Sequence, residues 1–250
     1  MTQTKRLRRP PDGGYARGDE TRVRIIEAAV KLFGEHGFDG ASTRDIAAAA
    51  EVNAPALQYY FENKQGLYQA CAEHIISEVL AWIEPAMKKA AAALRGDDEL
   101  ALIDGFIAIQ EATLDCMLLQ PQASNRRLFV IRELAGEEPK MASKLLQRRL
   151  KQPMNKLCLE LLARISGVKA EEPLTRIRLL TVRGQAMPFH HYQAGACDLI
   201  GWKKIDKAKA DLLKRTILGQ TRTLLENWRV APVKATATHA IRKATRTAPP

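Results

Sequence analysis

Gln58 and Tyr59 stand side by side at outward positions of one short helical stretch in this 250-residue chain. A glutamine amide presents a donor and an acceptor together and can pair bidentately with adenine in a major groove. A tyrosine hydroxyl can reach a base edge or a phosphate. Catalytic patterns are missing by comparison. There is no Gly-rich phosphate loop, no nucleophile elbow and no metal motif. His190 and His191 are adjacent, so on a helix they point about 100° apart. No ligand pair at i, i+4 joins them to Cys197, and no metal or cofactor is expected. Cys71, Cys116, Cys158 and Cys197 are widely spaced without a Cys-x-x-Cys pair, which reads as reduced, mostly buried thiols. A thiol sensor needs an exposed, activated cysteine, and none is marked. The chain reads as a binding protein, not an enzyme.

The pattern around these residues is helical almost throughout, so the expected fold class is all-α. Ile25, Ile26, Ala29, Leu32 and Phe33 recur at helical spacing, and Gly37 and Gly40 close that helix. A short second helix carries Ile46, Ala47 and Ala50 inward, with Ser42 or Thr43 as cap and Asp45 completing a Ser-x-x-Asp box. Glu51-Val52-Asn53 forms a turn. Asn53 then caps a third helix, Ala54 to about Phe61, with Pro55 in its first turn. Leu57, Tyr60 and Phe61 are its inward set; Ala54, Pro55, Gln58 and Tyr59 face out. Three short helices with a tight turn before the third make a helix-turn-helix, whose third helix enters a major groove. Asn63-Lys64 restarts a helix that carries Leu67, Tyr68, Cys71, Ile75, Val79 and Trp82, kinked or divided at Pro85, and further helices are expected at about 98–119, 123–135, 140–166, 172–193 and 205–229. Strand signals are nearly absent.

The formal net charge of +11 is unevenly spread. Residues 1–18 carry +4, residues 19–64 carry −3, residues 65–229 carry +6 and residues 230–250 carry another +4. The two ends read as a flexible basic arm and a flexible basic tail; solubility is their plainest use. No Lys or Arg lies between Asn53 and Asn63. Phosphate neutralisation drives most DNA affinity, so Lys5, Arg6, Arg8, Arg9 and Arg17 of the arm are expected to supply much of it. No apolar stretch follows the basic N-terminus, and no run reaches the roughly 18 apolar residues of a membrane span. A cytoplasmic location is expected.

The run from Thr21 to Tyr68 resembles the N-terminal domain of TetR-family regulators. The residues that carry this are the apolar pattern over 25–33, Gly37-Phe38, Thr43-Arg44-Asp45-Ile46-Ala47, Val52-Asn53, Tyr60-Phe61 and Lys64. The resemblance implies that Thr43 and Arg44 contact phosphate and that Asn53, Ala54, Pro55 and Ala56 open the recognition helix. It implies that Gln58 and Tyr59 reach bases or phosphates and that Lys64 holds a phosphate. The family often has Gly at position 51 and Tyr at position 58; Glu51 and Gln58 depart from it.

Arg132-Glu133-Leu134, Gln152-Pro153, Arg183-Gly184-Gln185 and Phe189 resemble the C-terminal domain of the CerR/CecR branch of that family. This implies a layout of arm 1–18, DNA-binding domain 19–65, effector-binding and dimerisation domain 66–229, and tail 230–250. It implies a homodimer through the last two long helices, with Leu179, Leu180, Val182, Met187 and Phe189 on one and Leu212, Leu213, Ile217, Leu224 and Leu225 on the other. A pocket for a small-molecule effector is implied among the central helices. Trp82, Phe106, Met117, Phe129 and Met187 are candidate walls; Arg132, Gln185, His190 and His191 are candidate polar contacts. Arg132 could instead pair with Glu133 or another acid. The function expected is a ligand-responsive repressor released from a palindromic operator. The alternatives are a constitutive or thiol-responsive regulator, or a nonspecific nucleic-acid-binding protein.

Overall fold

The structure, a computed structural model, describes residues 13–119, 123–135 and 139–229. The arm cations Lys5, Arg6, Arg8 and Arg9 and the tail 230–250 lie outside them. The described residues form helices and connecting turns, with no strand. Twelve α-helices follow in order: α1 Gly13–Gly40, α2 Thr43–Ala49, α3 Ala54–Tyr60, α4 Lys64–Ala93, α5 Glu99–Leu118, α6 Ala123–Ala135, α7 Lys140–Leu146, α8 Gln152–Ser166, α9 Pro173–Gly184, α10 Met187–His191, α11 Gln193–Ile200 and α12 Lys207–Asn227.

Local chemistry sets most of their ends. The Oγ of Ser42 accepts the Asp45 N–H at 3.1 Å, so Ser42, not Thr43, caps α2. Asn53 accepts the Ala56 N–H at 2.8 Å and starts α3; Asn63 accepts the Gly66 N–H at 2.8 Å and starts α4. Asp98 and Asp206 do the same for α5 and α12. Near its end α1 breaks at Gly37, whose φ of 75° suits glycine. Its start at Gly13 lies within the expected arm of residues 1–18. Once a helix is nucleated, each further residue adds a hydrogen bond, and no proline stands between Gly13 and Phe33 to stop it.

Three expected helices differ. Pro85 lies inside α4, which runs on past it. The stretch 140–166 is interrupted by a π-helical turn, Gln147–Lys151. Pro153 follows directly; a proline ring clashes with the carbonyl four residues back, and a wider turn relieves that. The stretch 172–193 divides into α9 and α10 around Gly184, Gln185 and Ala186, where Pro188 cannot donate to residue 184.

Two main cores result. The first joins α1, α2, α3 and the first half of α4, and it also takes in Phe129 of α6 and Ala142 of α7. The second joins the end of α4 with α5, α8, α9 and α12. The expected division after residue 65 therefore falls inside one helix and one shared core. At the meeting point of α1 and α6, a Cβ on Gly34 would lie 3.1 Å from the Leu128 Cβ and 3.2 Å from the backbone of Asn125 and Phe129. Only glycine allows this approach without displacement.

Candidate functional site

The first site is the outer face of α3. Leu57 and Phe61 are buried and Tyr60 is half-buried, which holds the helix down. Arg22 of α1 lies over the Phe61 ring at 5.3 Å. Ala54, Pro55 and Gln58 are exposed, and Tyr59 is 84% exposed with its ring edge-on to Tyr60 at 5.2 Å. Ala56 is half-buried. The Asn53 amide oxygen is taken by its capping bond, so its free donor is the NH2. Arg44 is exposed and Thr43 half-buried at the start of α2. Lys64 is held back: its Nζ donates to the Asp39 carbonyl at 3.3 Å and lies 4.7 Å from the Phe38 ring centre. An ammonium has three donors, so this anchoring leaves capacity for an anion. Glu51 adopts φ 55° in the turn between α2 and α3. This is a left-handed geometry, which explains why glycine suits the position.

The second site is a cavity of about 380 Å³ among the central and C-terminal helices. Ile75 and Val79 of α4, Phe106, Gln110 and Met117 of α5, Arg127 and Val130 of α6, Lys151 of the π-helical turn, Arg183 of α9, and Met187, His190 and His191 of α10 all border it. Phe106, Met117, Met187, His190 and His191 were expected there. Trp82, Phe129, Arg132 and Gln185 are not on its wall. Trp82 is 50% exposed on α4. Phe129 is buried against Tyr68, ring centres 4.8 Å apart, because it faces the first core. Gln185 sits in the break between α9 and α10. Arg132 does not pair with Glu133: its Nε donates to the Gly34 carbonyl and its Nη2 to the Glu35 carbonyl, each at 2.8 Å. Glu133 instead accepts from the Tyr68 hydroxyl.

Lys151, Arg183 and Gln110 were missed as wall residues. The π-helical turn turns Leu150 and Lys151 inward, and no periodicity argument anticipates such a turn. Burial pushes His190 down to about 4, helped by the nearby His191 and Arg127 charges, so it is neutral at pH 7. His191 is lowered too, by burial and by Lys151. Burial pushes the Cys71, Cys116 and Cys158 thiols up, which removes support from a thiol-responsive mechanism. Among the described residues no cluster of three or more metal-ligating side chains gathers, and no helix is long and apolar enough to cross a membrane.

An exposed helix-turn-helix face joined through one core to a helical body with a central cavity is the combination that decides the relationship. Residues 25–71 match the family described as bacterial regulatory proteins, tetR family, and residues 102–227 match the C-terminal domain of the HTH-type transcriptional dual regulator CecR. The chain belongs to the TetR family, with a CecR-type C-terminal domain, and is a transcriptional regulator. It is 27% identical over 202 residues to the dual regulator CecR of Shigella flexneri, covering 80% of this chain and 89% of that protein. Its fold is shared with AibR solved with isovaleryl coenzyme A and operator DNA, at TM-score 0.59 and 14% identity over 80% of this chain and 97% of the other. FadR of Bacillus subtilis, solved with stearoyl-CoA, gives TM-score 0.55 and 17% identity over 80% and 97%.

Proposed function

We propose that this TetR-family member is a ligand-responsive repressor, released from a palindromic operator when a small molecule enters the cavity. One observation carries it. Helix α6 borders the cavity through Arg126, Arg127 and Val130, and it grips α1 through Arg132 and the Gly34 contact. A ligand that favours a different α6 position would move α1, and α1 shares its core with α3. AibR was solved with isovaleryl coenzyme A and FadR with stearoyl-CoA, which supports reading the cavity as an effector site. In this reading Thr43, Arg44, Gln58, Tyr59 and Lys64 meet DNA, and the exposed Ala54 and Pro55 let α3 lie close to the groove.

Repression from a palindrome needs two copies. Ile177 and Leu180 of α9 and Leu212 of α12 are exposed apolar residues, whereas Leu179, Val182, Leu213, Ile217 and Leu225 are used in the subunit's own core. The outward α12 row of Ala208, Leu212, Thr216, Gly219 and Thr223 is small or apolar, as close helix packing across a two-fold axis requires. The test is Arg132→Ala in the full chain, with a DNA site selected from random sequence and a compound screened for release. The variant should keep binding the compound while losing most of the release. Release undiminished from wild type would reject the α6 route.

A further inference from the structure

The cavity carries more positive charge than the described residues around it neutralise. Arg127 and Arg183 both border it. Arg127 donates to the amide oxygen of Gln193, and Arg183 donates to that of Asn155, with the Cys158 Sγ 3.7 Å from its Nη2. These partners are neutral. Among the described residues neither guanidinium forms an ion pair. Arg126 differs, since Glu78 lies 3.2 Å from it. Lys151 feels Glu133, which partly offsets its charge. Among the described residues no Asp or Glu borders the cavity. Both guanidiniums are half-buried, and a cation partly withdrawn from water beside an apolar chamber without a counter-charge is costly.

A second, independent feature points the same way. Both amide atoms of Gln110 and the Nδ1 of His190 are buried without a hydrogen-bond partner among the described residues. Unsatisfied buried polar atoms in a native fold need an explanation, and a bound polar group is one. His190 is itself neutral at pH 7, chiefly because burial lowers its pKa, with the His191 and Arg127 charges adding to that.

We propose that the cavity takes a small amphipathic anion, with a carboxylate or phosphate head held by Arg127 and Arg183 beside Gln110 and His190, and an apolar body packed on Ile75, Phe106 and Met117. The guanidinium fork matches either oxyanion bidentately. A cation would be repelled, and a neutral ligand would leave both guanidiniums uncompensated. This inference rests on reading the cavity as the effector site.

Four probes of one chain length test it on the full-length protein by titration calorimetry: decanoate, decyl phosphate, decanamide and decylammonium. At least one anion should bind about tenfold or more tighter than decanamide, with decylammonium weakest. Comparison of the two anions identifies the head group. In an Arg127→Gln/Arg183→Gln variant the anion should fall to the amide's affinity while decanamide binding holds, which also shows that the cavity is intact. If that variant does not fold, the wild-type ranking alone decides. Decanamide or decylammonium binding as tightly as both anions, no binding by any probe, or a preference that survives the double substitution would each overturn the proposal. The same probes in a DNA-release assay separate the two readings. An anion that binds by preference yet leaves DNA bound sinks the effector role and keeps the anion site. Decanamide that binds and releases DNA as well as the anions does the reverse.

Discussion

Glu51 shows how one residue can store strain in a DNA-binding turn. Its φ of 55° is unfavourable for any side chain with a Cβ. Glu51→Gly should stabilise the protein by about 0.5–1 kcal/mol, after glycine's own entropy cost, raising Tm by a few degrees in thermal unfolding. Glu51→Ala removes the charge but not the strain and should leave Tm nearly unchanged. His190 gives a prediction in pH. Its folded pKa of about 4 lies below the usual 6.5, so the unfolded chain binds the extra proton first. Its contribution is fully present above pH 6.5 and is lost as pH falls toward 4. At about 1.4 kcal/mol per unit, the loss is at most about 3 kcal/mol. Denaturant unfolding from pH 7 to pH 4 should show a shallower decline in His190→Gln; an unchanged decline would place the depressed titration elsewhere.

At the scale of elements, α6 is the joint. One face lines a cavity and the other locks α1 by two carbonyl hydrogen bonds and a glycine contact. Gly34→Ala would put a methyl within 3.2 Å of the α6 backbone, and backbone cannot swing aside as a long side chain can. The expected cost is about 1–3 kcal/mol, read as a lower denaturation midpoint. Its functional readout is sharper. Forcing α6 from α1 should lower DNA affinity in the absence of any effector. Full DNA affinity in a folded Gly34→Ala variant would mean that the α1–α6 spacing does not govern the recognition helix.

At the scale of the molecule, the proposed repression from a palindrome requires two recognition helices held in register. Half-sites about one helical turn apart need a rigid pair of subunits. Leu180→Asp or Leu212→Asp places a charge on an apolar patch that the subunit itself does not cover. Sedimentation should show a monomer at micromolar concentration. Operator affinity should fall by roughly a hundredfold or more, because the second contact is no longer intramolecular. A dimer that survives both substitutions would move the interface away from α9 and α12.

Residues 25–71 were legible because their physics is local. Caps at Ser42, Asn53 and Asn63, the break at Gly37 and the inward set of Leu57 and Phe61 depend on neighbours a few positions away. The all-α class followed from periodicity in the same way. The cavity wall did not. Whether Phe129 or Phe106 meets open space depends on which helix packs behind each. Arg132 looked like a ligand contact until α1, 97 and 98 residues earlier, supplied its carbonyls. A side chain's type and spacing decide that it will be buried or exposed; only the assembled helices decide what it faces, because that is set by contacts between residues far apart in the chain.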